Sequence, residues 1–118
     1  MFMHNFRKLD IWKEAIELVT LVYEKIEFLP KDEKFGLKGQ IKRAVVSIPS
    51  NIAEGAGRNT DGEFNYFLGI SSGSSYELET QLIVANKLNY LTDFDLEEVL
   101  DKLHLLQKRI YKFLLRWF

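Results

Sequence analysis

Gly69-Ile-Ser-Ser-Gly73 has the G-x-S-x-G spacing of a hydrolase nucleophile elbow, one of few stretches in this chain whose residue types could do chemistry. That chemistry needs Ser71 on a strained strand-to-helix turn, with a histidine base and an acid in reach. The histidines are His4, near the N-terminus, and His104, and the motif lies inside a helical pattern. Small residues that let two helices approach closely explain it more simply. Asp101-Lys-Leu-His104 sets a carboxylate and an imidazole three residues apart, half of a di-iron bundle motif. The full site needs a second pair and further inward glutamates, which the chain lacks. A surface Asp and His near a helix start is the expectation. Glu54 and Glu77 are the carboxylates an enzyme would use, provided a pocket perturbs them; a hydrogen-bonded structural network accounts for them with fewer assumptions. Tyr23, Tyr66 and Tyr90 have no nearby partner suited to general-acid work. No Gly-rich loop leads into Lys-Ser/Thr, so a P-loop is absent. With no cysteine there is no disulfide, thiol nucleophile or thiolate-bound metal. No catalytic residue, cofactor or metal is assigned.

The elements that must position these residues are helical. The 118 residues fit one domain spanning 1–118, and a hydrophobic fraction of 47% is ample for a packed core. Periodicity begins near Asp10, with Ile11, Ala15, Leu18, Val19, Val22 and Ile26 on one stripe, and Pro30 ends that first helix. A second helix begins around Asp32 to Phe35 and runs to about Gly57, kinked at Pro49 because the ring removes a donor and crowds the preceding turn. Gly55, Gly57 and Asn59 mark its stop. Thr60-Asp-Gly-Glu63 is a capping box for a third helix, whose stripe runs from Phe64 through Leu68, Ser71, Ser75, Leu78 and Leu82 to Leu88. Asp95-Leu-Glu-Glu98 offers a second box for a last helix ending near Trp117. Short connections favour antiparallel neighbours, giving an all-α, up-down-up-down four-helix bundle.

Residues 40 to 58 are patterned unlike an ordinary surface helix. At 100° per residue, Leu37, Ile41, Ala44, Val45, Ile48 and Ile52 form a core stripe. Gln40, Arg43, Ser47, Asn51, Glu54 and Arg58 form a polar stripe beside it, with Glu77 and Gln81 of the third helix as expected hydrogen-bond partners. Val46, Pro49, Ala53 and Ala56, joined by Lys38 and Lys42, occupy the other flank. A helix apolar on its core side and on a second flank is buried twice, which points to another subunit. Phe2, Phe6, Trp117 and Phe118 point the same way.

The net charge of −1 argues against a surface wholly given to nucleic acid or anionic membrane. A local patch is still available. In an antiparallel bundle Arg7, Lys8, Lys13, Arg58, Lys108, Arg109, Lys112 and Arg116 gather towards one pole, while Asp93, Asp95, Glu97, Glu98 and Asp101 lie towards the other. Such a basic pole would take RNA or DNA phosphates. For the last helix alone, compensation of the helix dipole suffices. No apolar run approaches bilayer length, the polar neighbours of Gly69 and Gly73 exclude a membrane reading of GxxxG, and the first residues do not form a signal peptide. A cytoplasmic protein without membrane contact is the expectation.

Ser47-Ile-Pro-Ser-Asn-Ile-Ala-Glu-Gly-Ala-Gly-Arg58 closely resembles the S-I-P-x-N-I-A-E-G-x-G-R signature of the 23S rRNA intervening-sequence protein family of bacteria. Phe6 to Trp12, Pro30 to Arg43 and Ser72 to Leu82 are similar to further segments of that family, so the likeness covers nearly the whole chain; Ser50 departs from the common alanine. The resemblance implies a four-helix bundle assembling into a homopentamer, without enzymatic activity. It also implies kinship with the accessory variability protein of diversity-generating retroelements, a basic pentamer associated with nucleic acid and a reverse transcriptase. The expected partners are thus further copies of the chain, and RNA, DNA or a nucleic-acid-processing protein; the alternative is an oligomeric module that binds protein alone.

Overall fold

The computed structural model describes residues 5–115. His4, Phe2, Arg116, Trp117 and Phe118 lie outside that range. Four α-helices follow one another: α1 (Asp10–Ile26), α2 (Leu37–Ala56), α3 (Asp61–Lys87) and α4 (Asp93–Leu115). There is no strand among the described residues. Each helix packs on its chain neighbours and α1 closes against α4, the pattern of an up-down-up-down bundle. The domain measures 48 × 24 × 21 Å.

Local chemistry sets the helix ends. Asn5 caps a short 3₁₀ turn, Phe6–Lys8, by accepting from the Arg7 N–H at 3.2 Å. Phe6 then meets Trp12 edge to face, centroids 5.3 Å apart, and both pack on the core. Helix α1 stops at Ile26, before Pro30, and a second 3₁₀ turn covers Lys31–Glu33. This turn delays α2 to Leu37, later than the sequence suggests. Its Glu33 carboxylate accepts the Leu37 N–H at 3.2 Å and so supplies a cap that Gly36 has no side chain to give. Helix α2 continues unbroken through Pro49.

The first capping box is half as expected. Thr60 Oγ1 accepts from the Glu63 N–H at 3.1 Å, but the Glu63 carboxylate accepts from the Thr60 hydroxyl, not from a backbone donor. The second box sits three residues earlier than expected. Thr92 Oγ1 accepts from the Asp95 N–H at 3.1 Å, which starts α4 at Asp93 and leaves the Asp95 and Glu98 carboxylates to bind Lys25 of α1. Helix α3 ends in a Schellman turn with Asn89 at φ 63°, the Tyr90 N–H reaching back to the Ala85 carbonyl at 2.9 Å.

The core is the meeting of the four stripes: Leu18, Ile26, Ile41, Ile48, Ile52, Phe64, Leu68, Leu78, Leu82, Leu103, Leu106 and Ile110 are fully enclosed. The α2–α3 contact is the tightest of the bundle, and small side chains make it so. A Cβ on Gly55 would lie 2.8 Å from Phe67 Cβ and 2.9 Å from Phe64 Cδ1. Gly55 is therefore a close-approach residue inside the helix, and Gly57 alone is its C-terminal cap. Farther along α3, Ser71 and Ser75 are completely buried, and Ser71 faces Ile48 of α2.

Candidate functional site

The polar stripe of α2 divides in two. Its middle is a seam against α3: Ser47 Oγ lies 2.8 Å from Ser74 Oγ, and Asn51 Nδ2 donates to the Ser47 carbonyl (2.8 Å) and hydroxyl (2.9 Å). One turn away Ser71 Oγ donates to the Ile48 carbonyl at 2.9 Å. Ser74, not singled out in the sequence, completes the seam. Gln40, Arg43, Glu77 and Gln81 do not join this seam, and Glu54 and Arg58 pair only with each other across one turn. Gln40 and Arg43 are exposed, and so is Glu77. Glu77 follows buried Ser75 by two residues, about 200° around the helix, so it faces away from α2. The Gln81 Oε1 is buried without a hydrogen-bond partner. Glu54 takes Arg58 at 3.2 Å across one turn and is 57% exposed, while the Arg58 guanidinium lies 4.7 Å from the Phe67 ring.

The motif serine is structural. Ser71 is fully buried mid-helix with its hydroxyl committed to α2. His104 does not turn to Asp101; its Nε2 lies 2.9 Å from Glu79 Oε2 on α3, and Gln107 donates to the other Glu79 oxygen at 3.1 Å. Burial pushes the Glu79 carboxyl up, but the His104 and Gln107 hydrogen bonds and the His104 charge outweigh it, leaving the group below its ordinary value. The α3–α4 clasp was not visible in sequence because its members lie 25 and 28 positions apart. Among the described residues no cluster of three metal-ligating side chains exists, and no helix is long and apolar enough to cross a membrane.

The flank of α2 expected to meet another subunit is corrected in part. Pro49 and Ala56 are buried within the chain itself, and on the same flank Lys38 reaches the Glu27 carbonyl and Lys42 the Tyr23 ring of α1. Ala53 is half-buried and Val46 is 40% exposed. Phe6 is half-buried against its own core.

An exposed apolar surface does lie on α3. Tyr66, Gly69, Ile70, Gly73, Val84 and Leu88 share its outward face, which carries charge only at Glu77 and Lys87. A Cβ on Gly69 or Gly73 would meet nothing within 4 Å. These glycines therefore do not serve the bundle's own packing, the role expected for them; the nearby Ser71, Ser74 and Ser75 do.

The cations also divide. Lys8, Arg109 and Lys112 line one hollow of about 460 Å³ beside Phe113, whereas Arg109 is held by Glu14 and Arg58 by Glu54. Arg7 and Lys13 are exposed near the start of α1, and Lys108 lines a separate hollow with Tyr76 and Tyr111. At the opposite pole a groove of about 660 Å³ is lined by Lys31, Lys34, Lys38 and Lys42 over Phe28, Leu29 and Pro30. Its lysines come from a turn and a helix start, so sequence spacing alone gave no sign of the cluster.

Comparison with known proteins agrees with this architecture. A crystal structure of a protein of unknown function from the S23 ribosomal protein family, from Bacteroides thetaiotaomicron, superposes with a TM-score of 0.80 at 20% identity, covering 88% of this chain and 97% of that one. No curated protein matches. The family model for the 23S rRNA-intervening sequence protein matches residues 7–112, nearly the whole chain including the α2 signature, and the chain belongs to that family.

Proposed function

We propose that the protein is a non-enzymatic helical scaffold that works as an assembly of identical copies, a pentamer by the family resemblance, in the cytoplasm. The observation that carries this is the outward face of α3. Over more than six turns it offers aromatic and aliphatic side chains with two charges, and its centre is opened by Gly69 and Gly73. Glycine costs a helix interior about 0.5–1 kcal/mol relative to alanine. Two such residues where the chain's own packing does not need them suit the close approach of a helix from another copy. Glu54 and Glu77, the carboxylates of the enzymatic alternative, are both exposed, and Glu54 is tied to Arg58; these are poor surroundings for acid–base work.

The test is solution mass. The wild-type chain sediments as an oligomer at micromolar concentration, and Gly73→Trp, at an exposed position where a Cβ meets nothing within 4 Å, sediments as a folded monomer. A monomeric wild type overturns the proposal.

A nucleic-acid partner is the second part of the same proposal, favoured by the Lys8, Arg109 and Lys112 hollow with Lys108 on the adjoining surface. Binding of single-stranded RNA then weakens steeply with salt, and again when Lys108, Arg109 and Lys112 become glutamate. If neither happens, the partner is protein alone.

A further inference from the structure

The α1–α2 turn carries a lysine-lined groove whose charge no carboxylate of the described residues neutralises by an ion pair. Lys31, Lys34, Lys38 and Lys42 line it, with Glu27 as its one acid. No carboxylate of the described residues pairs with any of the four lysines. Lys38 donates to the Glu27 carbonyl at 2.9 Å, and the Lys42 ammonium lies 5.0 Å from the Tyr23 ring. On the apolar floor Phe28 is 89% exposed and Pro30 half-exposed, while Leu29 belongs to the core.

The same chain holds the complement. On α4, Lys102 and Arg109 reach α1 through Glu17 and Glu14, while His104 and Gln107 reach α3 through Glu79. The remaining side of α4 faces outward and exposes Phe94, Glu97, Asp101 and Leu105. Neither Glu97 nor Asp101 has an ion-pair partner among the described residues. Phe94 is 76% exposed.

The groove and the outward corner that Phe94, Glu97 and Asp101 form at the start of α4 stand at one height. Tyr90 donates to Glu33 at 3.4 Å and Lys25 binds Asp95 and Glu98, which ties the α1–α2 turn to the α3–α4 turn at one pole. Helices α2 and α4 both begin at that pole and run the same way. Lys38–Lys42 and Glu97–Asp101 are each one i, i+4 step, about 6 Å along their helices. The groove, however, opens on the α1–α2 side and the corner faces outward from α4, so a chain cannot dock on itself.

We infer that, in the assembly proposed above and resting on it, the lysine groove of one copy receives the outer face of the α4 start of the next copy. Glu97 and Asp101 meet Lys38 and Lys42, and Phe94 lies on the Phe28–Pro30 floor. Two different patches on different sides of the molecule make a head-to-tail contact, the kind that closes a ring when the rotation per copy divides a full turn. Charge complementarity of this sort fixes register and excludes wrong pairings more than it adds raw affinity. The apolar floor and the outward face of α3 then supply the buried area.

The test is charge reversal followed by its own correction, read as sedimentation mass with helicity checked by circular dichroism. Lys38→Glu with Lys42→Glu, and separately Glu97→Lys with Asp101→Lys, each weaken assembly by about tenfold or more, since each sets like charges opposite one another. All four substitutions in one chain restore it. If the reversed chains assemble like wild type while Gly73→Trp still gives monomers, the groove contact is wrong and the scaffold proposal stands. If each pair dissociates the assembly but the fourfold variant does not recover, α4 is not what the groove holds. A monomeric wild type removes both.

Discussion

The Ser71 hydroxyl of α3 donates to the Ile48 carbonyl of α2 across 2.9 Å, from a side chain with no solvent exposure. This bond joins the two most closely packed helices beside Pro49, in the segment of greatest family likeness. A hydroxyl satisfies a carbonyl there, and its small volume sets the helix separation. Ser71→Ala is expected to cost about 0.5–1.5 kcal/mol, the net worth of one hydrogen bond. Ser71→Leu is expected to cost more, about 1–3 kcal/mol from overpacking. Urea denaturation of the two variants checks both values.

The glycines give a pair of predictions with opposite sign. Gly55→Ala places a Cβ 2.8 Å from Phe67 Cβ, in a position where neither helix backbone can yield freely, so it destabilises in spite of alanine's better helix propensity. Gly69→Ala meets no neighbouring atom and stabilises the folded monomer by roughly 0.5–1 kcal/mol. Thermal melts of the two variants in a monomeric background separate them.

Stability should also respond to acid through Glu79. Its carboxyl titrates below its ordinary value of 4.5 in the folded chain, held there by the His104 and Gln107 hydrogen bonds against the opposing effect of burial. A depressed carboxyl contributes stability that is present above the unfolded value and lost as pH falls through the folded one. Glu79→Gln therefore leaves a shallower loss of stability below pH 4.5 than wild type shows. Denaturation midpoints from pH 6 down to about pH 3 measure the difference.

Much of the fold is legible in the sequence because each helix carries a core stripe at three- and four-residue steps, even where α2 and α3 are apolar on a second face as well. Ile11, Ala15, Leu18, Val22 and Ile26 are all buried, as their spacing requires. The boundaries that misled did so for local reasons. The 3₁₀ turn at Lys31–Glu33 uses residues that also suit a helix start, and Thr92 caps α4 where Asp95 offered an equally plausible pattern. A helical wheel locates a flank but cannot say what covers it. Pro49 and Ala56 share a flank of α2 on the wheel, yet both are buried by the chain's own packing. Gly69 and Gly73 alternate with Ser71 and Ser75 in sequence but lie on the opposite side of α3, a distinction that rests on helical phase alone. The lysine groove needed the turn's geometry to bring Lys31 and Lys34 beside Lys38 and Lys42.

Substitution on the outward face of α3 separates assembly from folding. Gly73→Trp retains the helicity and cooperative unfolding of the chain, because the site is open, while mixed samples of wild type and variant show the variant excluded from the oligomer. Circular dichroism with size-exclusion chromatography of the mixture reads both.

The most direct test of a scaffold built from identical copies is sedimentation equilibrium of the wild-type chain at micromolar concentration. The predicted mass is an integer multiple of 13.9 kDa, five by family resemblance; a single species at 13.9 kDa over that range would contradict it.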